Sequence, residues 1–259
     1  MIEKGFLVAN SPERIDPSRK FPTLQDIPKV VGGVNEKSAD AAVAFYETIF
    51  TKVVRVRDSD HSEATKLLEN CFRAVNISFI NEFSNFCEAS GLDVNNIVDG
   101  ASSKPYGFMP FRSWIGVGGH CIPVDPHYLI KCSPTPEKDW PILTNVMKSM
   151  HERPFMLADR QVEKSKPKNA LVCGVSYKPN VSDVREAPQS DFVQQLKNHG
   201  VKVDFYDPLV KKFEGLTRVD KLSPEVVRGY DKVFVMHKHH VCADELEGLR
   251  GLPNVTFFC

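Results

Sequence analysis

The sequence carries no surplus of one charge: 33 lysines and arginines face 33 aspartates and glutamates in 259 residues. Net charge therefore gives no reason to expect nucleic acid or an anionic membrane as partner, and an anionic ligand must be held by local charges. No apolar run approaches the ~20 residues of a membrane span. The opening MIEKGFLVANSPER lacks the apolar centre of a signal peptide. CxxC pairs are absent, and the seven cysteines, at 71, 87, 121, 132, 173, 242 and 259, are irregularly spaced and odd in number. That pattern suits neither a zinc cage nor a disulfide framework, so no metal is expected and a reducing cytoplasm is the expected compartment. Also missing is GxGxxG, which in a dinucleotide fold brings a pyrophosphate against a helix amino terminus. NALVCGVSYKPN has one glycine after a strand, and GVGG at 116–119 is not followed directly by a helical pattern.

What is present reads as an α/β protein in three parts. The short apolar runs FLVAN and KVVGG predict strands joined by a long loop, residues 38–50 a helix, and TKVVRVRDS a further strand. These resemble the end of an open sheet. From Ser62, as cap, Leu67, Leu68, Cys71, Val75, Phe79, Phe83 and Phe86 recur at helical spacing up to Gly91. A second helix is expected near Asp93. Residues 100–132, rich in glycine, proline and aromatics, follow neither period, and stretches of that kind carry function. A helix over 142–164 ends at a lysine-rich joint. Beyond it strands at NALVCGV, VKVDFYD, DKVFVMH and VTFF alternate with helices at 191–198 and 224–228, half of a doubly wound parallel sheet. The expected domains are 1–61, 62–165 and 166–259: an incomplete Rossmann-like domain, a long central helix with an irregular loop, and a carboxy-terminal Rossmann-like domain.

Two groups of residues could carry chemistry. GVGGHCIPVDP places Cys121 in a glycine-rich turn with Asp125 four residues on, and the glycines would let a substrate approach the backbone. Lys66, Asn70 and Arg73 share one face of the long helix. Each has a plainer reading, a structural cysteine in a turn and a solvated helix face with a Glu69–Arg73 surface pair. Asp207 before Pro208 reads more simply as a turn residue than as a ribose ligand.

The segments SPERIDP, IPKVVGG, EATKLLENCFRAVNISFINEF, GFMPF, GVGGHCIPVDPHYL and GVSYKPNVSDVREAP, in that order, resemble the UDP-glucose/GDP-mannose dehydrogenase family of nucleotide-sugar 6-dehydrogenases. The resemblance implies oxidation of a UDP-sugar at C6 to the uronic acid with two NAD+. Cys121 would add to the C6 aldehyde, and a thioester would then be hydrolysed. Lys66 and Asn70 would stabilise the oxyanion, Asp125 would assist proton transfer, and Glu13 would act on the water. Arg14, Arg73, Phe111, Gly118, Gly119, His120, Lys178 and Arg185 would contact the substrate, with Lys178 and Arg185 suited to a diphosphate.

The chain departs from the family pattern in having Pro17 where many members have a second acid. His120 and SPERIDP resemble the branch acting on UDP-N-acetylhexosamines. The family's NAD fingerprint lies upstream of the SPER segment, so the resemblance implies an N-terminally truncated chain whose cofactor site is incomplete. It also implies a homodimer through the long helix, whose alternative is an intramolecular core with the 142–164 helix. A non-catalytic nucleotide-sugar-binding or oligomerising remnant, or a structural protein that kept the fold, stands beside the enzyme reading.

Overall fold

The computed structural model describes residues 5–15 and 22–258; Pro17, and with it the departure noted above, lies outside them. Two compact units divide the chain at Phe72 and Arg73, inside a long helix.

The first unit is built on three short strands, β1 (Ala9–Asn10), β2 (Lys29–Gly33) and β3 (Val53–Arg55), with α1 (Glu36–Glu47) and the opening turns of α2 (Ser59–Ser90). β2 lies between antiparallel β1 and parallel β3. A strand with neighbours on both edges favours a continuous apolar run, and KVVGG is buried throughout. FLVAN pairs only through its last two residues, and Phe6, Leu7 and Val8 are exposed. The strand expected over 51–59 stops at Arg55, because its last residues open α2. Ser62 is not the cap of that helix. Asp58 takes the cap role: its Oδ1 accepts from the His61 N–H at 3.0 Å and its carbonyl from the Ser62 N–H. Ser62 lies within the first turn, buried, and donates to Asn10.

The second unit holds the rest of α2, then α3 (Val94–Ser102), α4 (Asp125–Lys131), α5 (Pro136–Asp139), α6 (Pro141–Ser165), β4 (Asn169–Cys173), α7 (Pro188–Asn198), β5 (Lys202–Tyr206), β6 (Thr217–Arg218), α8 (Pro224–Arg228), β7 (Lys232–Val235), α9 (Ala243–Glu247) and β8 (Val255–Phe257). Its five strands are all parallel, in the order β6-β5-β4-β7-β8. The two-residue period divides β4: Ala170 and Val172 join a cluster with Leu157, Phe192 and Leu196 of α6 and α7, whereas Leu171 and Cys173 join Val227 and Leu246 of α8 and α9. Helices thus cover both faces, the Rossmann-like arrangement expected from the sequence. Strand order reverses at β4, and in such sheets ligands bind outside the carboxyl ends of the strands near that point.

Elsewhere in this unit α2 packs through Ala74 and Ile77 against Met147 and Met150 of α6 and against Ile122. The stripe of Leu68, Phe72, Phe79 and Phe86 on α2 is exposed, at 70, 46, 63 and 57%. An intramolecular core with α6 therefore exists, but it uses a different set of α2 residues. The stretch over 100–132 is less irregular than its composition implies, since α4 starts within it at Asp125 with Pro126 in the first turn.

Candidate active site

In the first unit, Lys29 orders the SPER segment. Its ammonium is buried beside the rings of Tyr46 and Phe50, donates to the Pro12 carbonyl at 3.2 Å and lies 3.7 Å from Glu13. The Glu13 carboxylate is exposed, and its Oε1 accepts from the N–H groups of Arg14 and Ile15, both at 2.7 Å. Burial pushes its pKa up, but those two N–H groups and the charges of Lys29 and Lys66 outweigh it, and the net direction is down. Glu13 is thus held as a carboxylate, fit to accept a proton from water rather than to donate one. Arg14 grips Glu69 of α2 through two nitrogens, at 2.6 and 3.2 Å, and donates to Pro28 O. The expected Glu69–Arg73 surface pair is replaced by this one. Lys66 is half-buried and Asn70 buried on the same helix, one turn apart; Arg73 is exposed.

The glycine pair and the α1 amino terminus among the described residues of the first unit do not fit the pyrophosphate of a dinucleotide. A Cβ on Gly32 would lie 1.9 Å from Asp58 O, and one on Gly33 2.3 Å from Ala39 N, so this glycine pair makes room for the chain itself. The amino terminus of α1 is capped by the Asn35 side chain and carries Glu36 in its first turn, which opposes an anion there.

In the second unit Cys121 is exposed. It stands between Gly119, at φ +82°, and Ile122, whose side chain is buried, and its carbonyl accepts from Asp125 N–H at 2.8 Å at the start of α4. On the side where a Cβ would stand, the glycines ahead of it meet the chain itself. The space beside Gly116 is filled by Pro188, that beside Gly118 by Glu186 O and Tyr177, and that beside Gly119 by the Tyr177 ring. The turn lies against the YKPNVSDVRE segment, to which it is bonded by Gly119 N–H and Arg185 O at 3.3 Å. The two most distinctive sequence segments are therefore neighbours. His120 is exposed. Arg185 turns back onto Asp183 with bonds of 2.6 to 3.0 Å, the local pairing that competes with diphosphate contact. Lys178 stands 5.3 Å from the centre of the Tyr177 ring.

Lys178 also lines a cleft of about 750 Å³ with Arg112, Trp114, Arg153, Arg160 and His237, among others. Four cationic side chains there oppose one carboxylate, Glu88. Arg112 and Arg160 are paired with Asp99 and Glu88. Arg153, 7% exposed, has only neutral acceptors among the described residues, and burial, reinforced by Arg160, pushes its pKa down to about 10. Such a cleft favours an anion. Phe111, on the chain leading into it, is half-buried. Arg112, Arg153 and Arg160 were not legible as site residues, since charged residues in a loop and on helix faces ordinarily read as solvated.

At the carboxyl ends of β5 and β7 stands a second unforeseen group. Asp207 is fully buried; one oxygen accepts from Leu209 and Val210 N–H at 2.8 and 2.9 Å, the other from Val175 N–H and His239 Nε2 at 2.9 and 3.1 Å. His239 Nδ1 accepts from Asn180 N–H at 2.9 Å, which fixes its proton on Nε2. His237 donates Nε2–H to Ser176 O at 2.8 Å, and its Nδ1 has no partner among the described residues. Three potential metal-ligating atoms of Asp207, His237 and His239 lie within 4.8 Å of one another. Hydrogen bonds already occupy the carboxylate and both His239 nitrogens, so the group is a polar clasp joining the ends of β4, β5 and β7. Asp207 is the turn residue expected, with this further role.

Burial pushes the His237 pKa down to about 4, against an ordinary value of 6.5. Between those values the unfolded chain binds a proton that the folded chain refuses, so stability is full above pH 6.5 and falls as pH drops toward 4. The loss from this one residue is about 3 kcal/mol at the acid end. Chemical-denaturant unfolding at stepped pH should show that slope, and His237→Gln should flatten it.

A parallel sheet covered by helices on both faces, a basic cleft and an exposed thiol on a glycine turn define a Rossmann-like α/β protein with a candidate nucleophile. The UDP-glucose/GDP-mannose dehydrogenase family's central domain matches residues 60–151 and its UDP-binding domain residues 171–252. The chain belongs to that family. It is 31% identical over 239 residues to the UDP-N-acetyl-D-mannosamine dehydrogenase of Methanocaldococcus jannaschii, covering 92% of this chain and 54% of the relative. It is 32% identical over 197 residues to an NDP-N-acetyl-D-galactosaminuronic acid dehydrogenase of Ralstonia nicotianae, covering 75% and 46%. The solved UDP-D-ManNAc dehydrogenase of Pyrococcus horikoshii superposes with a TM-score of 0.79 at 30% identity, over 90% of this chain and 55% of that one. The chain thus spans about half the length of these relatives. Among the described residues no helix is long and apolar enough to cross a membrane.

Proposed function

We propose that this chain is the nucleotide-sugar-binding, thiol-bearing part of an NAD-dependent nucleotide-sugar 6-dehydrogenase acting on a UDP-N-acetylhexosamine or UDP-glucose. The observation that carries the reading is the exposed Cys121, backed by the YKPNVSDVRE segment, in the unit that also holds the basic cleft. Lys178, with Phe111, Gly118, Gly119 and His120 on the thiol loop, binds the substrate, and Arg185 joins them by exchanging Asp183 for the diphosphate. The Cys121 thiol adds to the C6 aldehyde, and the later thioester is hydrolysed. Lys66 and Asn70 stabilise the oxyanion, Glu13 accepts the water's proton, Asp125 assists proton transfer, and Arg14 and Arg73 contact substrate. The hydride acceptor is NAD+. Residues 1–61, 62–165 and 166–259 are the corresponding functional domains, in a cytoplasmic protein.

When the chain is assembled with a dinucleotide-binding segment, each molecule of acid formed should be accompanied by two of NADH. A ratio of one, with aldehyde as product, would reject the thioester route. The poor fit of Gly32, Gly33 and the α1 amino terminus to a pyrophosphate favours a second reading, a nucleotide-sugar-binding remnant without turnover of its own, and it predicts no NADH at all.

The exposed apolar residues of α2 support a homodimer: in the second unit Phe79 and Phe86, two helical turns apart, are 63 and 57% exposed, and exposed apolar side chains grouped on one helix face mark an interface. Sedimentation at tens of micromolar should give a dimer, and Phe79→Glu should shift it to monomer. A wild-type monomer would remove the proposal.

A further inference from the structure

Arg153 is a buried cation whose hydrogen-bond acceptors among the described residues are all neutral, and these partners give the reason for keeping it. Nε donates to the Trp114 carbonyl, Nη1 to Asn81 O at 3.1 Å and Asn85 Oδ1 at 3.3 Å, and Nη2 to Ser84 Oγ at 3.2 Å. The guanidinium on α6 thereby joins α2 to the chain at Trp114. Asn81 Oδ1 completes the hold by accepting from Trp114 N–H at 2.9 Å, and the indole N–H donates to Met236 O at 2.6 Å. Ile115 follows, fully buried, and then Gly116, pressed on Pro188 and on Pro154, the residue after Arg153. The turn that carries Cys121 thus stands on two feet, Trp114 before it and Ile122 after it. Ile122 is held by apolar packing on Ala74, Met147 and Met150. Trp114 is held by hydrogen bonds, two of them directional bonds to one backbone unit. A planar fork with five donors suits that task better than any other side chain, which accounts for a charge in a place where desolvation opposes it.

We propose that Arg153 is a positioning residue for Cys121, clamping the chain at Trp114 between α2 and α6 so that the glycine turn presents the thiol in one fixed place. The proposal rests on Cys121 being the reacting group, but its test does not require turnover. Cys132, also exposed and located at the end of α4, supplies an internal reference. The measurement is the rate of alkylation of Cys121 by iodoacetamide relative to Cys132, resolved by peptide mass spectrometry. Arg153→Met keeps the length of the side chain and removes the fork; with the turn released, the Cys121/Cys132 ratio should rise about fivefold or more. Arg153→Lys, which keeps the charge and some of the donors, should return the ratio toward wild type. An unchanged ratio in a folded Arg153→Met protein would overturn the proposal, as would an equal rise in Arg153→Lys.

Should Arg153→Met fail to fold by circular dichroism, Ser84→Ala with Asn85→Leu leaves the arginine and removes its side-chain acceptors on α2. There a rise of about twofold supports the clamp and no rise refutes it. Failure to bind UDP-sugars would defeat the functional reading and leave these ratios untouched.

Discussion

Cys121→Ser is expected to abolish acid formation by the assembled enzyme, by about a thousandfold or more, while UDP-sugar binding persists. An aldehyde can be bound without sulfur, but the thioester through which the second oxidation is proposed to run cannot form without it. Serine has nearly the same size, so the turn should survive: Cys121 is exposed, and the adjacent core contact belongs to Ile122. Its hydroxyl is also far less readily deprotonated than a thiol, and the oxyanion form is the nucleophile. Acid and NADH are measured separately. Undiminished acid from the serine variant would refute covalent catalysis, whereas loss of UDP-sugar affinity together with acid would show that the turn itself had been damaged.

Asp207→Ala should destabilise the carboxy-terminal sheet by about 3–5 kcal/mol, the range for removing one member of a buried charged network. The carboxylate serves four donors, and its loss leaves Val175, Leu209 and Val210 N–H and the His239 ring buried without their acceptor. Burial raises the pKa of this carboxyl, but the hydrogen bonds from His239 and from the backbone N–H groups outweigh that, so the folded state favours the ionised form. Its stability is therefore present at neutral pH and is lost as pH falls through the lowered folded pKa, at more acid pH than the His237 effect. Denaturant midpoints of wild type, Asp207→Ala and Asp207→Asn measure the effect, with the asparagine variant in between. A loss below about 1 kcal/mol in the alanine variant would mean that water replaces the carboxylate, and the clasp would not be a structural centre.

Periodicity located the elements that bury one or both faces. β4 and β7 are apolar runs in a covered parallel sheet, and α2, 32 residues long, repeats apolar residues at helical steps between Leu67 and Phe86. Some short elements escaped it, although the helix at 224–228 and the strand at VTFF were legible. α4 has seven residues and opens with Asp125-Pro126, which reads equally as a turn, and Ser62 and Asp58 are both good caps until the chain geometry chooses between them. For the site, residue types were legible but their partners were not. Glycines at 116, 118 and 119 announce a close approach without saying whose atoms approach, and here they belong to Pro188, Glu186 and Tyr177. The ion pair of Arg14 with Glu69, 55 residues away, was not legible either. Arg153 and the Asp207–His237–His239 clasp depend on tertiary contacts between elements distant in sequence, which no local pattern encodes.

This chain is proposed to hold the nucleotide-sugar half of the reaction and not the dinucleotide half. Calorimetric titration of the chain as it stands, with UDP-N-acetylglucosamine and separately with NAD+, tests it most directly. Heat that saturates with the UDP-sugar, weakens in Lys178→Ala and is absent with NAD+ is the predicted result; equal affinity for NAD+, or none for the UDP-sugar, would contradict it.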